Sequence, residues 1–144
     1  MTGYLAMQRA LASDEAHAAM TAAVAMQKSV EAVDMSLFDP AGHKWWMQVL
    51  EPLKTGLAKV ADTHDLKIQR EGLDAISRQV IALSRGLGPI GMDKVFVLHC
   101  PMAFDNRGAD WVQDVNKVAN PYFGKSMPQC GTVEQVIGMA TPKN

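Results

Sequence analysis

The sequence has no excess of either charge: fourteen Lys and Arg residues against fifteen Asp and Glu leave a formal net charge of -1. Nucleic acid, as a polyanion, needs a basic field that this chain does not generate. Long apolar runs are missing too. The stretches Met20 to Met26 and Val95 to Leu98 fall far short of the roughly 20 residues that cross a bilayer, so no membrane insertion is expected. The start, Met1-Thr2-Gly3-Tyr4-Leu5, lacks the basic-then-apolar order of an export signal. The expectation is a cytosolic protein, or a mature exported one with a new start methionine. Paired carboxylates, a nucleophile beside a base and a phosphate-binding loop are all absent, so no enzyme is expected. Haem attachment in its usual form is excluded because no Cys-x-x-Cys-His occurs. Cysteine itself is scarce, at two residues.

What is present suffices for a core. At 144 residues and 48% hydrophobic content, one domain spanning 1–144 is expected, with residues 1–88 as a helical bundle and 89–144 as a strand and loop segment. Tyr4, Leu5 and Leu11 mark a short first helix. Ser13-Asp14-Glu15-Ala16 reads as the N-cap of an Ala-rich second helix running to about Val33. Leu37-Phe38-Asp39-Pro40-Ala41-Gly42 reads as a break in which Asp39 can cap the next helix. Trp45, Trp46, Val49, Leu50, Leu53, Leu57 and Val60 recur at helical spacing, with a kink expected at Pro52. After a polar link over Ala61 to Asp65, Leu66 to Leu83 carry a fourth helical stripe, stopped by Gly86-Leu87-Gly88-Pro89. Short links favour antiparallel neighbours. The fold class is therefore mainly α, an antiparallel four-helix bundle with a small C-terminal β-hairpin and loop region. Lys94 to Cys100 is β-branched and bounded by Gly91 and Pro101, so it reads as a strand, with Thr132 to Ile137 as its partner.

Both cysteines lie in the C-terminal third, and each has a methionine beside it: Cys100-Pro101-Met102 and Met127-Pro128-Gln129-Cys130. Thiolate and thioether are the soft donors that favour Cu(I) or Ag(I), whereas Ca and Mg take oxygen. Pro101 biases Cys100 to extended backbone, so alternation is expected to put Cys100 and Met102 on one face and His99 on the other. Pro128 favours a turn that brings Met127 and Cys130 together. The candidate ligands are Cys100, Met102, Met127 and Cys130, with His99 as a fifth. The competing reading is a structural disulfide between Cys100 and Cys130, in which case no ion is held and the methionines are packing. His17 and Met20 share a helix face at i, i+3, but an exposed histidine beside an Ala-rich face needs no metal. His43 and His64 sit at helix borders.

His99-Cys100-Pro101-Met102-Ala103-Phe104 and Asn120-Pro121-Tyr122-Phe123-Gly124, with Met127 and Cys130-Gly131 after them, resemble a bacterial exported domain of unknown function. That domain is found alone and appended to copper and silver efflux adaptors of the Cus type. Gly108-Ala109-Asp110-Trp111, Tyr4-Leu5, Ala10-Leu11, Arg70 and Ser77 add to the resemblance. It implies a periplasmic location, a helical body and a heavy-metal role, with an efflux adaptor or another metal-transport protein as partner. The function expected is Cu(I) or Ag(I) sequestration or transfer to an efflux system; the alternative is a disulfide-stabilised interaction domain.

Overall fold

The computed structural model describes residues 1–89 and 91–138; the rest of the expected 89–144 segment lies outside the described residues. The chain is mainly helical, with four long helices, α1 (Thr2–Ala12), α2 (Ala16–Glu31), α3 (Pro40–Ala61) and α4 (Leu66–Leu87). Beyond them lies a three-stranded antiparallel sheet, β1 (Lys94–Cys100), β2 (Ala109–Gln113) and β3 (Thr132–Gly138), in the order β2-β1-β3.

The helix ends show which polar signals act locally. Asp39 caps α3 by accepting from the Gly42 N–H at 2.6 Å. Pro40 is thus the first helical residue, where its missing N–H costs nothing, and the expected break at Pro40 and Gly42 is instead the first turn of α3. The helix continues through Pro52 to Ala61. Asp65 caps α4 through Lys67 and Ile68 N–H, at 2.8 and 3.3 Å. Gly88 ends it at φ +79°, ψ 174°, so the helix does stop at this glycine, but in an extended positive-φ conformation that glycine tolerates rather than the left-handed helical cap expected there. The Ser13-Asp14 signal works differently from the expectation. Ser13 closes α1, Asp14 has φ +59°, and Glu15 precedes α2 without a side-chain cap bond. The Asp14 carboxylate is committed to tertiary partners instead.

α1 packs on α2, α2 on α3, and α3 most extensively on α4. Gly56 and Gly72 make the last approach close. A Cβ on Gly56 would stand 2.7 Å from Ile76 Cγ1, and one on Gly72 would stand 2.8 Å from the Gly56 carbonyl oxygen. β2 lies against α4 and α1, burying Trp111 and Val112 in the same core as Tyr4, Leu11, Leu73 and Ile76. Burial of such side chains contributes roughly 1.5–3 kcal/mol each.

β1 and β3 pair as expected, from Lys94 opposite Gly138 to His99 opposite Thr132, with an irregularity at Val97 and Leu98. The expected hairpin is nevertheless a three-stranded sheet, because β2 covers the other edge of β1 and places Cys100 opposite Ala109. Polar composition over 105–108 hid this strand. Phe104, Asp105 and Asn106 all have positive φ, near +52° to +66°, forming a left-handed turn that reverses the chain quickly. Each non-glycine residue there costs of order 1 kcal/mol. Strand pairing on one side and the Phe104 ring, edge-on to Tyr122 at 5.3 Å and under the Arg107 guanidinium at 4.8 Å, hold the turn.

Candidate functional site

Cys100 is the last residue of β1 and is fully buried. The register that sets His99 opposite Thr132 carries Cys130, two residues upstream of β3, alongside it. Their sulfurs stand 2.8 Å apart, and both cysteines are free thiols. The gap is longer than the roughly 2.05 Å of a disulfide bond. Cys130 is half-buried, so the pair has one sulfur in the core and one within reach of solvent. Hydrogen bonding to Cys100, then burial and the neighbouring sulfur's charge, push the Cys130 thiol up to about 11; the Met102 N–H, donating to its sulfur, works the other way.

The two methionines fare differently against the expectation. An i to i+3 bond from the Cys130 N–H to the Met127 carbonyl, 3.3 Å, closes the turn expected at Pro128. Strand alternation, by contrast, does not reach Met102. The strand stops at Cys100, and Met102 sits in a turn at φ -88°, ψ -11°, so the two are not related as neighbours on one sheet face. Met102 is 47% exposed and Met127 half-buried. His99 lies on the opposite face, as alternation requires. Its Nδ1 meets Asp110 Oδ1 at 2.7 Å, and its ring lines a cavity of about 150 Å³ with Asp74, Arg78 and Gly108.

The loop that delivers Cys130 is organised by Asn120, which is fully buried. Its side chain donates to the Cys130 carbonyl at 2.7 Å and accepts from the Tyr122 and Phe123 N–H groups at 2.8 and 3.1 Å. Its own N–H donates to the Pro128 carbonyl at 2.9 Å. Gly131, at φ +130°, then passes so close to β1 and β2 that a Cβ would stand 2.8 Å from the His99 carbonyl oxygen and 2.7 Å from the Trp111 ring.

Helix residues anchor the same loop from below. Arg70 donates to the Pro121 carbonyl at 2.8 Å, the Leu11 carbonyl at 3.2 Å and Asp14 at 2.6 Å, while Asp14 also accepts from the Lys125 N–H at 3.1 Å. Burial pushes the Asp14 carboxyl up, but Arg70 and Lys125 outweigh it and hold the group below its ordinary value. Tyr4 accepts from the Val112 N–H at 3.0 Å and shares a hydrogen bond with the Ser77 hydroxyl at 2.7 Å. Tyr122 donates to the Asp110 carbonyl. Burial pushes Tyr4 up to about 12 and raises Tyr122 as well. These are roles that sequence periodicity does not show, since the partners lie far apart along the chain.

A family model described as a protein of unknown function, DUF3347, matches residues 1–90. The chain belongs to the DUF3347 family. No curated protein and no solved structure matches it. The part matched to DUF3347 takes in the four helices and ends before β1, so Tyr4, Arg70 and Ser77 fall inside it and both cysteines outside. No helix among the described residues of this DUF3347 member is long and apolar enough to cross a membrane. Among the described residues, no group of three or more His, Cys, Asp and Glu gathers as an ion site.

Proposed function

We propose that this protein binds one soft monovalent ion, Cu(I) or Ag(I), through Cys100 and Cys130, and serves metal sequestration or transfer to an efflux system in the periplasm. The observation that carries the reading is the approach of the two thiols, 2.8 Å between sulfurs, brought together from a strand end and a loop turn. Both would hold the ion as thiolates, displacing protons that the raised Cys130 value otherwise retains. Exposed Met102 and half-buried Met127 are the thioether donors nearest in sequence, and either completes a third position. The ion is cargo: on the side of half-buried Cys130 an acceptor's soft donor would bond to the ion while the Cys130–metal bond breaks, passing the ion on by ligand exchange. An efflux adaptor is the partner this reading names. The four long helices, joined by short links, are read as an antiparallel bundle that carries the sheet.

The second reading rests on the same proximity. Oxidation would join Cys100 and Cys130 and fix the 120–131 loop, leaving a protein-interaction domain. Its docking groove would be the cleft of about 340 Å³ between α2 and α3, lined by Val30, Leu57, Ala58, Glu31 and Lys54.

Competition for Cu(I) against a chromophoric chelator, under reductant, separates them. Cys100→Ala and Cys130→Ala should each weaken binding far more than His43→Ala, because a thiolate supplies both charge and the strongest soft donor. Equal affinities across the three variants would remove the metal reading.

A further inference from the structure

His17, in the first turn of α2, and His64, in the link between α3 and α4, meet at the surface with both side chains exposed. His17 Nδ1 and His64 Nε2 stand 3.4 Å apart. The ring planes lie within 6° of parallel and the centroids are 5.6 Å apart. The centroid separation exceeds the nitrogen separation by about two ring radii, so the facing nitrogens lie close to the line between the rings. The rings therefore meet edge to edge, nitrogen to nitrogen. Two neutral imidazoles in this pose share a single gap. Either one facing nitrogen carries a proton and donates it to the other, or both present lone pairs and a cation takes the proton's place.

The spacing is compatible with a shared cation, and the donor type narrows which one. Two nitrogens bound at about 2.0–2.1 Å to one tetrahedral ion sit roughly 3.3 Å apart, close to the separation already present. Imidazole suits borderline divalent ions, whereas Mg(II) and Ca(II) take oxygen. We propose that His17 and His64 form a second metal site, for a borderline divalent transition-metal ion such as Zn(II). Binding moves the ring protons to His17 Nε2 and His64 Nδ1, the outer nitrogens, so two neutral histidines release no proton. Exposed side chains can tilt to aim both lone pairs at one ion without disturbing the core. Two protein donors leave the remaining positions to water or to a donor from another molecule, which makes the site open. The site draws nothing from the cysteines and stands whatever ion or bond they hold.

The test is calorimetric titration of Zn(II) alone into the full chain carrying Cys100→Ser and Cys130→Ser, with Mg(II) as control. One Zn(II) per chain is expected, and His17→Ala or His64→Ala should each weaken it at least about tenfold, the loss that even an outer-shell partner causes. No uptake by the serine-substituted parent, or uptake unchanged by either alanine, overturns the site. Because the serine substitutions could disturb the sheet, the same question is put to the unsubstituted chain with Cys100 and Cys130 oxidised to a disulfide, reading histidine ring protons by NMR. Substoichiometric Zn(II) should shift the His17 and His64 signals first. Shifts confined to His43 or His99 overturn the site equally.

Discussion

The Asn120 carboxamide donates to the Cys130 carbonyl at 2.7 Å while accepting from Tyr122 and Phe123 N–H, so one buried side chain sets the loop that places the half-buried sulfur. Asn120→Ala should orphan all three main-chain groups. Each costs about 1–3 kcal/mol when left unpaired, though relaxation recovers part of it, and a net loss of about 2–4 kcal/mol is expected in urea unfolding. Cys130 should also react faster with a thiol reagent than in the parent. Unchanged thiol kinetics would show that the loop holds without Asn120.

Redox state should switch the properties of the cysteine pair. Under reductant the protein should take up one Cu(I) per chain; after oxidation uptake should fall sharply, since a disulfide sulfur carries no charge to offer. Oxidation closes a loop across thirty positions and should raise stability by about 2–4 kcal/mol. Free-thiol titration and far-ultraviolet dichroism on both forms check this. The helices, which have their own core, should survive reduction; unfolding of the reduced protein without Cu(I) uptake would favour the interaction-domain reading.

The contact between Gly56 and Gly72 predicts a large effect from one methyl group. Gly72→Ala must push α3 from α4, because its Cβ would meet both the Gly56 carbonyl and Val60 at 2.8 Å. Overpacking of this kind costs about 1–3 kcal/mol, against the gain of up to about 1 kcal/mol that alanine normally brings to a helix interior. A higher denaturation midpoint in Gly72→Ala would refute the close crossing.

Tyr4 makes stability depend on alkaline pH. Its hydroxyl is pushed up from 10.0 to about 12 in the fold, so the folded state resists ionisation more than the unfolded chain does. The stabilisation is complete below about pH 10 and is lost as pH rises toward 12. Tyr122, raised in the same direction, adds to the slope. Tyr4→Phe should flatten part of that dependence while costing about 1–3 kcal/mol at neutral pH, from the unpaired Val112 N–H and Ser77 hydroxyl. Urea midpoints across the alkaline range measure both effects.

Much of the fold was legible along the chain because it is written in short-range patterns. The stripe from Trp46 to Val60, the Asp39 cap and the Gly88 stop each depend on neighbours within a few residues. The strand Lys94–Cys100 and the turn at Met127 to Cys130 were legible for the same reason. Asp14 departs from the capping expectation, since the residue types that cap a helix also end one in the left-handed region, and only Arg70 and the Lys125 N–H, far off in sequence, decide which. β2 carries no such local signal, because its five residues come after a loop-like segment and need the edge of β1 to become a strand.

The sequence by itself determined the helical body, the soft-donor chemistry of the cysteines and methionines, and the opposite facing of His99 and Cys100, all of which stem from residue type and local period. Only the tertiary structure decided that Cys100 and Cys130 meet at 2.8 Å, that Met102 leaves the strand before alternation can align it, and that His17 reaches His64. Those relations join segments 30 to 47 positions apart or turn on a left-handed reversal. Spacing along a chain carries no information about separation in space once the chain has turned back on itself, and here β1 becomes the shared middle strand only when both its edges are covered.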